Sequence, residues 1–235
     1  MSMHNRALAT NSTDIFYPES DGKPMAETDV HRNLMMELIA KLQAYYRAEP
    51  DVYVSGNLLL YYEQGNNKKS VAPDVFVVRG IANHERCVYK LWEEGKAPDV
   101  VFEISSRGTW GDDLQKKWRL YARLGVAEYY IFDPEYDYLE PALRAYRLEA
   151  TEYEEIEVLA GRVSSAVLGL GIVDTGETLR FFNPLTNEFF PTRGELALAH
   201  KQAESRAVEA ESRAVEAEAE VARLRAALAL LKSEA

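Results

Sequence analysis

The 235-residue sequence predicts an α/β (α+β) protein: a central mixed sheet flanked by helices, followed by a C-terminal coiled-coil helix. Three observations carry that expectation. The apolar period changes from helical to strand-like at Asp51. A helix, strands, a second helix and a further strand follow one another up to Phe132, an order that fits a sandwich with a central mixed sheet. The segment Ala203 to Glu209, AESRAVE, then repeats without change as Ala210 to Glu216.

Residues 1–26 read as an irregular lead-in with a turn at Asp21-Gly22-Lys23-Pro24. Thr28 suits a helix cap. Leu34, Met35, Leu38, Ile39, Leu42 and Tyr45 then fall at helical spacing over Asp29 to Tyr46. Val52 to Tyr62 is rich in β-branched, Leu and Tyr residues. The polar turn Gln64-Gly65-Asn66-Asn67 and a second strand, Ser70 to Val78, complete a hairpin. A polar connection from Gly80 to Ala97 precedes a strand over Asp99 to Ile104. A helix from Asp112 to Leu124 stops at Gly125, the next strand is Glu128 to Phe132, and shorter strands fill Leu139 to Leu179. In the tail, Ala207, Ala214, Val221 and Leu228 form one seam position, and Ala210, Ala217, Leu224 and Leu231 the other, in alternating steps of three and four. Self-association as a homodimer or higher oligomer is the expectation, with a solvated single helix as the alternative. The resulting domains are 1–26 (lead-in), 27–195 (core) and 196–235 (helical tail).

Composition removes several function classes. No apolar run approaches the roughly 20 residues that cross a bilayer, and the N-terminus lacks the pattern of a secretory signal. Cys87, the sole cysteine, forms no internal disulfide, which fits a reducing cytoplasm. The net charge of -11 argues against a protein that coats nucleic acid through a basic surface. It is compatible with an enzyme whose carboxylates need a cation before they meet phosphate. There is no Gly-rich phosphate loop ending in Lys-Ser/Thr. Ser105-Ser106 has no flanking elbow glycines, and no two histidines have metal-ligand spacing.

The candidate chemistry lies in carboxylates. Glu103 sits inside Val100-Val101-Phe102-Glu103-Ile104, where burying a charge is expensive without a partner or a cation. Asp99 shares its face but lies about 13 Å away along the strand, too far to share one ion. An aspartate on a neighbouring strand can come within about 5 Å, and Asp74, after Pro73, is the candidate. Two such carboxylates form a hard-oxygen site of the kind Mg²⁺ prefers. For Asp74 alone, a turn residue at a strand start is the plainer reading.

Phosphodiester hydrolysis also needs positive charge near the reacting atoms. Position 105, on Glu103's face, is Ser105. At about 100° per residue, Lys117 falls roughly 60° from the buried Leu114, whereas Lys116 points into solvent. Lys117 can therefore reach over the sheet end, with Asp113 one turn earlier as its partner; an ordinary surface ion pair is the alternative. His31 and Glu37 lie on the first helix, where a solvated face is the expectation for both.

The stretches Val71-Ala72-Pro73-Asp74-Val75, Ala97 to Ser106 (APDVVFEISS), Asp113 to Val126 (DLQKKWRLYARLGV) and Glu128 to Pro134 (EYYIFDP) resemble the Uma-two family over about residues 15–195. The resemblance implies a restriction-endonuclease-like core of the PD-(D/E)XK type. It maps Asp74 onto the motif aspartate, Glu103 onto the acid of the third strand, and Lys117 onto a lysine moved to the helix. Ser105 stands where the wider superfamily has lysine. The function so implied is a Mg²⁺-dependent (or Mn²⁺-dependent) endonuclease acting on DNA, with the metal on Asp74, Glu103 and the Ile104 carbonyl. The competing reading is a catalytically weak or inactive nuclease fold that serves as a dimeric binding module.

Overall fold

The computed structural model describes residues 15–20 and 28–233. The Asp21-Gly22-Lys23-Pro24 turn lies outside them. In chain order the elements are α1 (Asp29–Tyr45), β1 (Val52–Ser55), β2 (Leu60–Tyr61), β3 (Ser70–Val71), β4 (Val75–Arg79), β5 (Tyr89–Lys90), α2 (Leu91–Glu94) and β6 (Val100–Ile104). There follow α3 (Trp110–Asp112), a π-helical segment (Asp113–Lys117), α4 (Trp118–Leu124), β7 (Glu128–Phe132), β8 (Leu143–Glu149), β9 (Glu152–Ile156), β10 (Arg162–Ser165), β11 (Leu170–Asp174), β12 (Leu179–Phe182) and α5 (Arg193–Ser233).

A six-stranded sheet in the order β1-β4-β6-β7-β8-β9 forms the centre. Only β6 and β7 run parallel, joined by the helical crossover; the other neighbours are antiparallel. The middle strands β6 and β7 are buried at every position, which explains why they read as apolar apart from Glu103 and Glu128. One face packs Val75, Val77 and Phe102 against Leu34, Leu38 and Leu42 of α1, and against Val163, Ile172 and Phe181 of the β10-β11-β12 sheet. The opposite face packs Phe76, Val101 and Tyr129 under Tyr121 and Ala122 of α4 and beside Leu60 and Tyr89. The sheet is thus the middle layer of a sandwich, the expected mixed α/β class.

The hairpin expected from Val52 to Val78 is present but broken in two. β1 pairs with β4 in the central sheet, whereas β2 pairs with β3 and β5 in a separate small sheet. The break on one arm is at Gly56-Asn57, where Asn57 takes a positive φ of 49°. On the other arm it is at Pro73, which has no N–H to give to a ladder. The supposed polar connection, Gly80 to Ala97, contains β5 and the single turn α2, too short for periodicity to reveal. α1 begins where predicted, with the Thr28 hydroxyl accepting from the His31 amide at 3.2 Å. The helix expected from Asp112 starts at Trp110 and carries the π-helical segment.

The chain divides between Phe190 and Pro191. The second unit is α5, a helix of 41 residues. Its start is a capping box: Thr192 Oγ1 accepts from the Glu195 amide at 3.1 Å, and Glu195 Oε2 accepts from the Thr192 amide at 2.6 Å.

Glu128 ties the second sheet to the first. Fully buried, it accepts from the hydroxyls of Ser165 and Tyr130, from the Ala166 amide and from Arg147. Glu128→Ala strands these donors without an acceptor and is expected to cost about 3 kcal/mol or more in urea unfolding; a loss below about 1 kcal/mol contradicts the latch.

Candidate active site

The site lies where β4 begins and β6 ends. Val75 pairs with Phe102, so one step further brings Asp74 opposite Glu103 on the face under the helical crossover. Two elements fix Asp74. Its Oδ2 accepts from the Ile104 amide at 2.7 Å and lies 3.2 Å from His31 Nε2. Its backbone is held from below: the Asn57 amide donates to the Pro73 carbonyl at 2.8 Å, and a Cβ on Gly56 would come within 2.0 Å of the Asp74 carbonyl oxygen. Only glycine allows that approach.

Glu103 has a side chain with no solvent exposure. Oε2 accepts from Lys117 Nζ at 2.8 Å and Oε1 from the Tyr121 hydroxyl at 2.6 Å. Lys117 Nζ also lies 2.9 Å from Asp113 Oδ1, and Asp113 Oδ2 accepts from the Ser105 hydroxyl at 3.0 Å. One ammonium therefore serves two buried carboxylates, with a third, Asp74, near enough to act on it.

The helix is built to deliver these groups. Asp113, Lys117 and Tyr121 are spaced by four residues. In an unbroken α-helix Tyr121 would be turned about 80° away from Asp113. The π-helical segment over Asp113–Lys117 takes up close to one extra residue, which realigns the three. Within that widened turn the Asp113 carbonyl accepts from the Tyr129 hydroxyl at 3.0 Å.

The electrostatics follow from this crowding. Burial lifts the Glu103 carboxyl well above the ordinary range; Lys117 opposes the rise, and Asp74 and Asp113 add to it. Burial works against the charge on Lys117, but Glu103, Asp113 and Asp74 overcome it and hold the ammonium well above the usual lysine range. Burial alone would raise Asp74, yet the His31 hydrogen bond, the Lys117 charge, the His31 charge and the Ile104 amide hold it below its usual value. Lys117 keeps its proton, and of Asp74 and Glu103 it is Glu103 that is the harder to ionise.

Asp74, Glu103 and Lys117 thus come together, and the Ile104 backbone lies beside them. Asp99 does not: it accepts from the Arg79 amide at 2.6 Å and pairs with Lys96, closing the far end of β4. Lys116 pairs with Asp112 in solvent. The solvated face expected for His31 is corrected, since His31 is buried against Asp74. Glu37 remains apart, paired with Lys41 at 3.0 Å. Helix periodicity misses His31 because the first turn of α1 overhangs the strand end, a tertiary fact. Counting from the Thr28 cap is the one signal that places it at the helix tip. Tyr121 reads as an ordinary core residue in the sequence, and Gly56 as part of a strand. Among the described residues, no group of three or more His, Cys, Asp or Glu side chains is arranged to hold a metal by itself.

Two consequences can be measured. Gly56→Ala pushes on the Asp74 backbone and is expected to cost about 1–3 kcal/mol of stability by denaturant unfolding; an unchanged midpoint contradicts the close approach. Because the fold holds the Asp74 carboxyl below its usual value, its ionised contacts stabilise the protein above the ordinary aspartate range and are lost as the pH falls through it. The stability gap between wild type and Asp74→Asn should therefore shrink as pH is lowered below about 4. A gap that stays constant between neutral and acid pH contradicts this.

No curated protein matches the chain. Among solved structures, the crystal structure of a putative nuclease from Anabaena variabilis is similar at 17% identity with a TM-score of 0.46, over 62% of this chain and 76% of that one. The family Uma2, described as putative restriction endonuclease, matches residues 6–175, which contain every residue of the site. With well over half of its length matched, the chain belongs to the Uma2 family.

Proposed function

We propose that this protein is a divalent-cation-dependent nuclease that hydrolyses phosphodiester bonds in DNA. Asp74, Glu103 and the Ile104 carbonyl are its metal ligands, and Lys117 is its catalytic cation. The observation that carries the reading is the single ammonium set among three carboxylates, Glu103 and Asp113 in direct contact and Asp74 close by. Such a cluster keeps surplus negative charge in a buried place, and a hard divalent cation relieves it.

The donor set suits Mg²⁺ or Mn²⁺. Two carboxylates and a carbonyl leave the remaining positions to water and substrate phosphate, the usual arrangement for Mg²⁺. A bound cation would supply Lewis acidity and a more acidic water. This chain's residues do the rest. His31 and the Ile104 amide fix the Asp74 carboxylate, and Tyr121 fixes Glu103. Lys117 can orient the attacking water or meet the charge that develops on the phosphate. Asp113, anchored by Ser105, holds Lys117 near the site whenever it leaves Glu103. Ser105 in the usual lysine position is therefore an exchange of parts: the cation comes from the helix, and the strand supplies the hydroxyl that steadies its counter-ion.

Lys117 and an incoming cation compete for Glu103. Lys117→Met is therefore expected to bind Mn²⁺ more tightly than wild type by calorimetry, by about tenfold, while losing about a hundredfold or more in cleavage of plasmid DNA. Weaker Mn²⁺ binding by this variant contradicts the competition. Asp74→Ala and Glu103→Ala are expected to lose both metal binding and cleavage, and cleavage surviving in both removes this site from the mechanism. Absence of cleavage by the wild type with every divalent ion tried favours the binding-module reading.

A further inference from the structure

We propose that α5 is the dimerisation element of this protein, and that it pairs with α5 of a second copy as a parallel, in-register, two-stranded coiled coil. The helix is long enough, about 60 Å at 1.5 Å per residue, and its seam carries apolar side chains that the chain itself leaves uncovered. Val221, Leu224 and Leu228 are 46%, 62% and 54% exposed. They continue the heptad positions occupied by Ala207, Ala210, Ala214 and Ala217. Val221 at the first seam position and Leu224 at the second is the combination that favours two strands.

The flanking charges select both partner and orientation. In a parallel, in-register pair, the residue before each first seam position faces the residue five further along the second copy. Arg206 then faces Glu211, Arg213 faces Glu218, and Glu220 faces Arg225. All three pairs are opposite in sign, and each occurs twice by symmetry. The pairs made within one helix, Arg213 with Glu209 and Arg223 with Glu220, are exposed and offer little competition. The duplicated AESRAVE segment gives adjacent heptads the same seam and the same flanks. Because each chain enters α5 at Arg193, a parallel pair tethers two catalytic units at the same end, an arrangement suited to cutting both strands of a duplex. That consequence rests on the nuclease reading; the dimer does not.

Sedimentation equilibrium on the full-length protein tests the dimer, with circular dichroism checking that each variant stays helical. The wild type is expected to be a dimer, and Leu224→Glu a monomer that still melts cooperatively. Arg213→Glu should loosen the dimer roughly tenfold, and adding Glu218→Arg should restore it. In a Cys87→Ser background, Ala210→Cys should form an inter-chain disulfide on mild oxidation, because an antiparallel partner would place position 228 there instead. A monomeric wild type, a trimer, a charge reversal that the second change does not rescue, or the absence of cross-linking at position 210 each overturns the proposal.

Discussion

The contact between Lys117 Nζ and Glu103 Oε2 is the constraint around which the centre of this protein is arranged. A carboxylate with no exposure in the middle of an apolar sheet is costly unless its charge is met. The nearest place from which a cation can come is the crossover helix between the two parallel strands. That helix must then deliver an ammonium, its second counter-ion and a tyrosine hydroxyl to one spot. The π-helical segment accomplishes this by changing the phase between Asp113 and Tyr121. It leaves Tyr121 and Ala122 packed on the opposite core.

Among the described residues, several partly or fully buried acids are of two kinds. Asp133 accepts from the amides of Glu135, Tyr138 and Leu139; Asp99 accepts from the Arg79 amide; and Glu128 accepts from the Ala166 amide and two hydroxyls. Each described hydrogen bond to Asp133 comes from a backbone amide, Asp99 and Glu128 each accept from one amide, and these acids act as joints of the fold. Glu103 differs: both of its described hydrogen bonds come from side chains of one helix, which can rotate away. Asp74 stands between the two kinds, pinned by the Ile104 amide on one side and by His31 on the other. The proposed exchange of a resident ammonium for an incoming metal ion calls for this difference between fixed and movable partners.

Much of this was legible in the sequence because strand periodicity is strict. Alternation puts Glu103 on a defined face, and the Asp74 strand expected beside it is there, since β4 pairs with β6. The distance along one strand excludes Asp99 before any coordinate is known. Helix phase likewise brings Lys117, and not Lys116, to the buried side. What escaped was whatever depends on a local break in regularity. Gly56 and Pro73 split one hairpin between two sheets, the π-helical segment advanced the crossover helix, and the first turn of α1 reached past its own layer to place His31 on Asp74. Periodic reasoning has no purchase on such breaks, and in this protein they cluster around the site.

The most direct measurement is a crystal structure of the wild-type protein soaked with Mn²⁺, using the anomalous signal of the ion. The account predicts a single strong peak bounded by Asp74, Glu103 and the Ile104 carbonyl, with Lys117 withdrawn from Glu103 Oε2 and still held by Asp113. A peak elsewhere, or saturating Mn²⁺ with Lys117 unmoved and no ion between the two carboxylates, would contradict it.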